Sequence, residues 1–380
     1  MKTVLLRRSA VVAALAAVVA LPVGAQQTIG ISTVYKGYSF NEGLGASAAQ
    51  LFMVPLAVRF QASQALSFDL YSAWAQGRVE RDNLAYTLSG LVDTRVKATY
   101  QAAPWALVSV SASLPTGKAT HDSEQAVVAS VLSADLLGFR ESTWGTGLGI
   151  TSSVATAMRA GQFGIGVAAA YSVNGEFEPS TDQVLKYQPG NETRIRIGID
   201  RNIGTNTLTF GAMFMTYSAD QANGTNLFQA GNRLRFDGTY QFRAGSGVWT
   251  LYGADLWREN GDVTLPFVDA VGAVVGDTTY STPSQNLVVV GFLGSVGVGG
   301  SYVFRPNVDL RVQNRKDPAG GGNEGSGWIV AAGGDFPVRL FGGYDFFPKA
   351  RFLFGSIKDP TGAGRGVKGV ELSAVIRWGF

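Results

Sequence analysis

The sequence contains no cysteine and a single histidine, His121. The absence of thiols excludes a disulfide framework and a lipid-anchored lipoprotein. With one histidine and no thiol a zinc site lacks ligands, so neither a metal nor a cofactor is expected. Charge is also scarce, at 16% of residues, and no linker, proline-rich spacer or charge block divides the chain. A soluble chain of this length would tend to split into about two domains. The missing boundary favours one large repetitive architecture. Residues 286–304 carry no charge and are long enough for a membrane helix, yet they hold Gly291, Gly294, Gly297, Gly299 and Gly300, which disfavour one. Val290, Phe292, Val296, Val298, Tyr302 and Phe304 share one face at a spacing of two, so the stretch reads as a strand.

The basic balance of 31 Lys+Arg against 28 Asp+Glu is largely an N-terminal effect. Lys2, Arg7 and Arg8 form a basic n-region, Ala10 to Val19 an apolar h-region, and Val23-Gly24-Ala25 a small-residue cleavage site. Residues 1–25 therefore read as a secretory signal peptide, and residues 26–380 as the mature domain. A membrane-anchoring helix is the rival, disfavoured because the apolar core is short. The first 25 residues hold three bases and no acid, so the remainder carries 28 of each sign. Nothing in that balance points to nucleic acid.

What the chain has in abundance is alternation. Phe52, Val54, Leu56, Val58 and Phe60 form one apolar face, as do Leu66, Phe68, Leu70 and Trp74. Val92, Val96, Ala98 and Tyr100 are expected outward opposite Asp93, Arg95 and Lys97. Ala106, Val108, Val110 and Ala112 oppose Ser109, Ser111 and Ser113. The pattern recurs at Ile195-Ile197-Ile199, Leu234-Phe236, Val308-Leu310-Val312 and Phe336-Val338-Leu340. Short connections (159–161, 204–206, 244–247, 305–307) alternate with long ones (115–143, 173–192, 258–284, 314–325). Short periplasmic turns alternating with long outer loops is the grammar of a transmembrane barrel. A β-sandwich has no reason to sort its loops this way. The expected fold is all-β: a single transmembrane antiparallel β-barrel of about sixteen strands, with fourteen left open. The weak points are the first strand near Ile31 to Phe40 and the run from Trp328 to Phe354.

The last strand carries a resemblance. Phe380, Trp378, Ile376, Ala374, Leu372 and Val370 form one face, against Gly379, Arg377, Val375, Ser373, Glu371 and Gly369. A terminal strand closing on an aromatic residue resembles the final strand of bacterial outer-membrane β-barrels. That resemblance implies residence in the outer membrane of a Gram-negative cell, with lipid and lipopolysaccharide around the wall. It also implies the barrel-assembly machinery as a partner, with Trp378 and Phe380 as its signal. Ser113-Leu114-Pro115-Thr116-Gly117 resembles a strand-end motif of small barrels associated with degradation of phenolic compounds. The Asn-Pro-Ala plug motif of fatty-acid and aromatic-hydrocarbon transporters is not matched, since Asn41-Glu42-Gly43-Leu44-Gly45 stands there.

Three segments are candidates for function. In the long connection after Leu114, Val127, Val128, Val131, Leu132 and Leu136 recur at helical spacing, with Asp122 placed to cap and Gly138 to end. This predicts a short helix in an outer loop, either folded into the lumen as a constriction or lying over the mouth. Alternation assigns Arg59, Asp69, Asp93, Arg95, Lys97, Arg194, Arg196, Asp200, Arg233, Arg235, Asp237, Asp309, Arg311, Glu371 and Arg377 to the inner face, because a charge facing lipid is costly. They read either as ion pairs bracing the wall or as a lining that favours small anions. The apolar stretch Leu265 to Val275 reads as an extended hairpin or an entrance for apolar ligands. The function these features imply is passive uptake of small solutes, including hydrophobic or aromatic compounds, with no catalytic residue. The alternatives are an outer-membrane enzyme built on His121-Asp122-Ser123 and a structural or adhesive barrel. Mass spectrometry of the protein purified from an envelope fraction should find Gln26 as the first residue, and an intact Met1 would refute the signal-peptide reading.

Overall fold

The computed structural model describes residues 27–139, 141, 144–268, 274–299, 302–318, 323–340 and 343–379. The segment expected to be a signal peptide and Phe380 lie outside them. In chain order the strands are β1 (Gln27–Phe40), β2 (Ala48–Gln61), β3 (Leu66–Arg81), β4 (Leu84–Leu91), β5 (Thr94–Ala103) and β6 (Ala106–Leu114). Helix α1 (Ser123–Leu132) follows, then β7 (Gly149–Ala160), β8 (Phe163–Asn174), β9 (Tyr187–Gln188), β10 (Glu192–Ile203) and β11 (Asn206–Tyr217). Next come β12 (Asp220–Ala222), β13 (Thr225–Gln229), β14 (Arg233–Ala244), β15 (Gly247–Arg258), β16 (Asp262–Val268) and β17 (Val274–Ser281). The chain closes with β18 (Ser284–Gly299), β19 (Tyr302–Lys316), β20 (Gly327–Asp335), β21 (Val338–Arg339), β22 (Asp345–Lys358) and β23 (Gly364–Gly379).

Eighteen of these segments form one antiparallel sheet, closed where β1 pairs with β23, Thr28 opposite Gly379 through Phe40 opposite Val367. β4 and β5 pair with successive halves of β3 and count as one wall strand. β21 only extends the β20–β22 hairpin. The wall therefore has sixteen strands. Loop segments β17, β16, β13, β12 and β9 make a second, five-stranded sheet, so the apolar stretch after Leu265 lies on the β16–β17 hairpin, its residues 269–273 outside the described part.

The exterior is what would be the interior of a soluble protein. Val110, Ile150, Val154, Ile195, Ile197 and Phe210 are each at least 48% exposed. A contiguous apolar surface of that kind has no place in water. The opposite turns are tight, and Gly161, Gly204 and Gly245 take φ of 63°, 61° and 59°. That left-handed backbone is available to glycine without steric cost, which lets two strands reverse in two residues.

Three expectations change. Arg305-Pro306-Asn307 is not a turn: it lies inside β19 opposite Asp335, Gly334 and Gly333, and Gly299 of β18 already pairs with Tyr302 of β19. Residues 286–304 are thus two strands and not one. Proline lacks a ladder donor and so suggests a turn in the sequence, but a strand near its end tolerates it. The third change is at Val92 and Asp93, between β4 and β5. In β3, odd-numbered residues face inward; they meet even-numbered ones on β4 (Gly77 opposite Leu88) and odd-numbered ones on β5 (Asp69 opposite Lys97). The extra residue of this bulge flips the parity. Val92 therefore sits in the inner core at 1% exposure instead of facing outward.

The alternation itself can be tested in folded barrels. Val110→Arg should cost about 2–4 kcal/mol if it lies near the midplane of the lipid face, while Ser111→Arg, one residue along and facing inward, should be tolerated. Heat-modifiable gel migration and urea titration in detergent would check this, and equal tolerance of both changes would contradict the register.

Candidate functional site

The segment between β6 and β7 folds back inside the barrel. Asp122 caps α1, its carboxylate accepting from the Gln125 N–H at 2.8 Å. Val128 and Leu132 are buried among Leu51, Met53, Ala75, Val79 and Leu88, which are inward side chains of β2, β3 and β4. Trp144, fully buried, packs into the same cluster and donates its indole N–H to the Ala75 carbonyl at 3.0 Å. Contact this close requires Gly77: a Cβ there would lie 2.5 Å from Leu132 Cδ1 and 2.9 Å from Val128 Cγ1.

Helix α1 ends at Leu132, earlier than Gly138. Leu136 belongs to the turn beyond it, where it and Leu137 are buried against Tyr38, Ile329, Ala331, Leu353 and Val367. Val131 packs against both clusters, whereas Val127 is half-buried and joins neither. The loop therefore lies along the inner wall from β4 through β3, β2, β1, β23 and β22 to β20.

Asp93 holds both ends of this loop. Its carboxylate accepts from the Gly117 N–H and from the Thr146 N–H, each at 2.8 Å, and its own N–H donates to the Trp144 carbonyl at 2.8 Å. Thr116 Oγ1 accepts from the Thr94 N–H at 2.8 Å. A Cβ at Gly117 would sit 2.0 Å from the Trp144 oxygen, so only glycine fits between the two loop ends. Pro115-Thr116-Gly117, noted above for its resemblance, is the anchor on which the loop turns inward. Asp93, expected on the pore lining, is 4% exposed and works as a staple.

A second anchor is ionic. Arg351 contacts Asp309 and reaches Glu371 at 3.4 Å, Lys349 lies 3.2 Å from Glu371, and Arg311 lies 3.2 Å from Asp309. Two carboxylates thus face three cations, and Lys36 makes a fourth. The surplus is met by the loop: Lys36 Nζ donates to the Gly138 carbonyl at 2.8 Å and Arg311 to the Leu137 carbonyl at 3.3 Å. Charge-assisted bonds of this kind are among the stronger ones. Asp309, Arg311 and Glu371 face inward, and the loop covers them. Lys36, Lys349 and Arg351 escaped the sequence reading because they lie on the weak first strand and in the ambiguous run near β22.

The remaining predicted residues lie on uncovered parts of the inner face. Arg59 pairs with Asp69, which also stands opposite Lys97, and Arg95 is 3.7 Å from Glu141. Arg377 pairs with Asp345. Arg196 makes a bidentate pair with Asp237 at 2.9 and 2.7 Å, and Arg235 lies 3.4 Å from the same carboxylate. Arg196, Asp200 and Asp237 line a hollow of about 480 Å³ beside Ala157, Gly164, Gly166 and Gly198. Arg194 pairs with Glu192, while Arg233 stacks its guanidinium 5.2 Å from the centre of the Tyr217 ring. The wall from β6 to β15 is therefore the open side of the lumen, and its floor is of small residues.

These observations define the class. The chain is a transmembrane β-barrel. No family model and no curated protein matches the sequence. Among solved structures, the barrel is similar to a loop-deleted OmpT, an outer-membrane protein of Vibrio cholerae, with TM-score 0.45 and 10% identity over 93% of this chain and 99% of that one. It is also similar to OccK11 of Pseudomonas aeruginosa, with TM-score 0.45 and 12% identity over 94% and 96%. An anion-selective porin from Comamonas acidovorans gives TM-score 0.40 and 12% identity over 94% and 100%.

His121 sits in the loop strand that leads into α1. Its N–H donates to the Pro179 carbonyl and its carbonyl accepts from Thr181, both at 2.9 Å. Burial, reinforced by the charge on Lys118, pushes the imidazole below its ordinary range, so it is neutral at pH 7. Nδ1 is buried without a partner, and Ser123 turns its N–H to Asp182 at 3.1 Å. The backbone groups of these neighbours clasp the loop.

The native absence of cysteine makes the docking of α1 directly measurable. A Leu132→Cys barrel should resist maleimide, and adding Gly77→Val should expose the thiol, since overpacking costs about 1–3 kcal/mol and the helix is the part able to move. Protection unchanged by Gly77→Val would show that the helix does not rest on this wall.

Proposed function

We propose that this barrel is a passive channel for small polar solutes, narrowed by the loop that carries α1. The observation that carries the reading is the packing of Val128, Leu132, Leu136 and Leu137 on inward-facing wall residues. A sixteen-stranded wall encloses an aqueous lumen, and a loop held across one half of it leaves a passage along the other. That passage runs past hydroxyl and glycine positions of β6 to β8 on one side and the charged faces of β10 to β15 on the other. Such a lining suits hydrated polar solutes better than the hydrophobic or aromatic compounds also considered. The solute would cross lipid and lipopolysaccharide without binding either, and Trp378 with Phe380 would direct insertion by the assembly machinery. An enzymatic reading has less support, since His121 Nδ1 is buried without a hydrogen-bond partner to orient the ring as a base.

Deleting residues 122–138 tests the channel and its narrowing together. The cut leaves Gly117, Trp144 and Thr146 to keep their bonds to Asp93, so the barrel should still show heat-modifiable migration. Single-channel conductance in planar bilayers should rise several-fold, with a larger solute cutoff in liposome swelling. Unchanged conductance and cutoff in a folded deletion variant would refute the constriction. A wild-type barrel that never conducts would refute the channel.

A further inference from the structure

One row of the inner wall has an arrangement that stability alone would avoid. Strand register sets Arg194, Met215, Arg233, Arg258, Gln285 and Arg315 side by side across β10, β11, β14, β15, β18 and β19. The row lies where β14 begins and where β15 and β19 end, beside the long-loop mouth. Arg233 and Arg258 are directly opposed, and like charges in that position destabilise a sheet. Three arginines of this wall have carboxylates: Arg194 has Glu192, and Arg196 and Arg235 share Asp237. Among the described residues no carboxylate comes within 4 Å of Arg233, Arg258 or Arg315, and Nε of both Arg233 and Arg315 is buried without a hydrogen-bond partner. Gln285 holds the centre, accepting from Arg258 at 3.0 Å and donating to Asp135, just beyond α1, at 2.8 Å. The constriction loop therefore touches this row.

We propose that Arg233, Arg258 and Arg315 form a seat for oxyanions, the carboxylate or phosphate groups of passing solutes. The proposal rests on the channel reading and names its substrate class. Guanidinium groups bind such anions through paired N–H donors. Neighbouring strands are about 4.8 Å apart, so one anion can bridge Arg233 and Arg258 while Arg315, two strands further, reaches a second acidic group. The row faces the lumen, out of reach of membrane phosphates. An arriving anion relieves the repulsion that the wall carries without it.

The test uses the purified full barrel and the variant R233Q/R258Q/R315Q, with single Arg258→Gln read instead if the triple variant does not fold. Reversal potentials in a potassium chloride gradient should show anion preference in the wild type and its loss in the variant. Succinate and inorganic phosphate, added separately, should each reduce chloride current and raise Tm in the wild type, with apparent affinity about tenfold weaker in the variant, as expected for losing a charged hydrogen bond. An effect of succinate alone assigns carboxylates, and of phosphate alone, phosphates. If neither acts, or if both act equally on the folded variant, the seat is refuted while conductance still supports the channel. A barrel that shows the Tm shift but no conductance would uphold the seat and sink the channel.

Discussion

Lipid offers no partner for a backbone N–H or carbonyl, and everything else in this molecule follows from that constraint. A sheet in hydrocarbon cannot keep an edge, so the first strand must find the last. The β1–β23 seam does this over Thr28 to Phe40, and it forces sixteen strands to share one register around the wall. Once the register is fixed, so is the face of every side chain, because a strand alternates with period two. The apolar half of each strand is committed to the lipid, and most ionisable groups on the wall are committed to the lumen; Asp255, on the outer face beside Phe236, is met by the Asn286 amide.

That commitment creates a second problem, which the loop solves. A lumen of this width would expose its inner face to water, yet part of that face is apolar: Leu51, Met53, Val79, Leu88 and Val92 line β2 to β4. Burying those side chains under Val128 and Leu132 removes apolar area from water on both surfaces, at roughly 25 cal/mol per Å². The same logic explains why one bulge matters so much. At Val92 and Asp93 the wall turns two consecutive residues inward. The first completes the apolar floor, and the second holds Gly117 and Thr146 so that the loop can only fold over that floor. The fold of the wall and the placement of the loop meet at this irregularity.

The barrel was legible because its pattern is redundant: any one strand could be misread and the others would still set the class. The helix start was legible for a local reason, Asp122 ahead of an apolar stripe. What could not be read were the places where the period breaks. Val92 followed the parity of Val96 on paper, because a bulge leaves no mark in residue type. Pro306 looked like a turn, although its strand had no need of its missing donor. Lys36 and Arg351 lay in segments of poor alternation, so the buried ionic anchor stayed hidden. Inward charge could be assigned from spacing, but cover by a loop depends on partners far apart in sequence, such as Arg311 with Leu137.

The two groups of cations on the inner wall show the difference between support and function. Around Asp309 and Glu371 the surplus positive charge is answered by carbonyl oxygens of the loop, and the whole cluster is covered. Buried charge is tolerated only when paired and hydrogen-bonded, so this cluster is part of the scaffold that fixes the loop. Along Arg233, Arg258 and Arg315 no carboxylate lies within 4 Å among the described residues, although Asp237 shows that this wall can supply carboxylates. Uncompensated repulsion persists in a fold only where something else holds the groups in place. Here the hydrogen-bonded register holds them, and the row runs from the open side of the lumen to β18 and β19, where Gln285 meets the loop at Asp135.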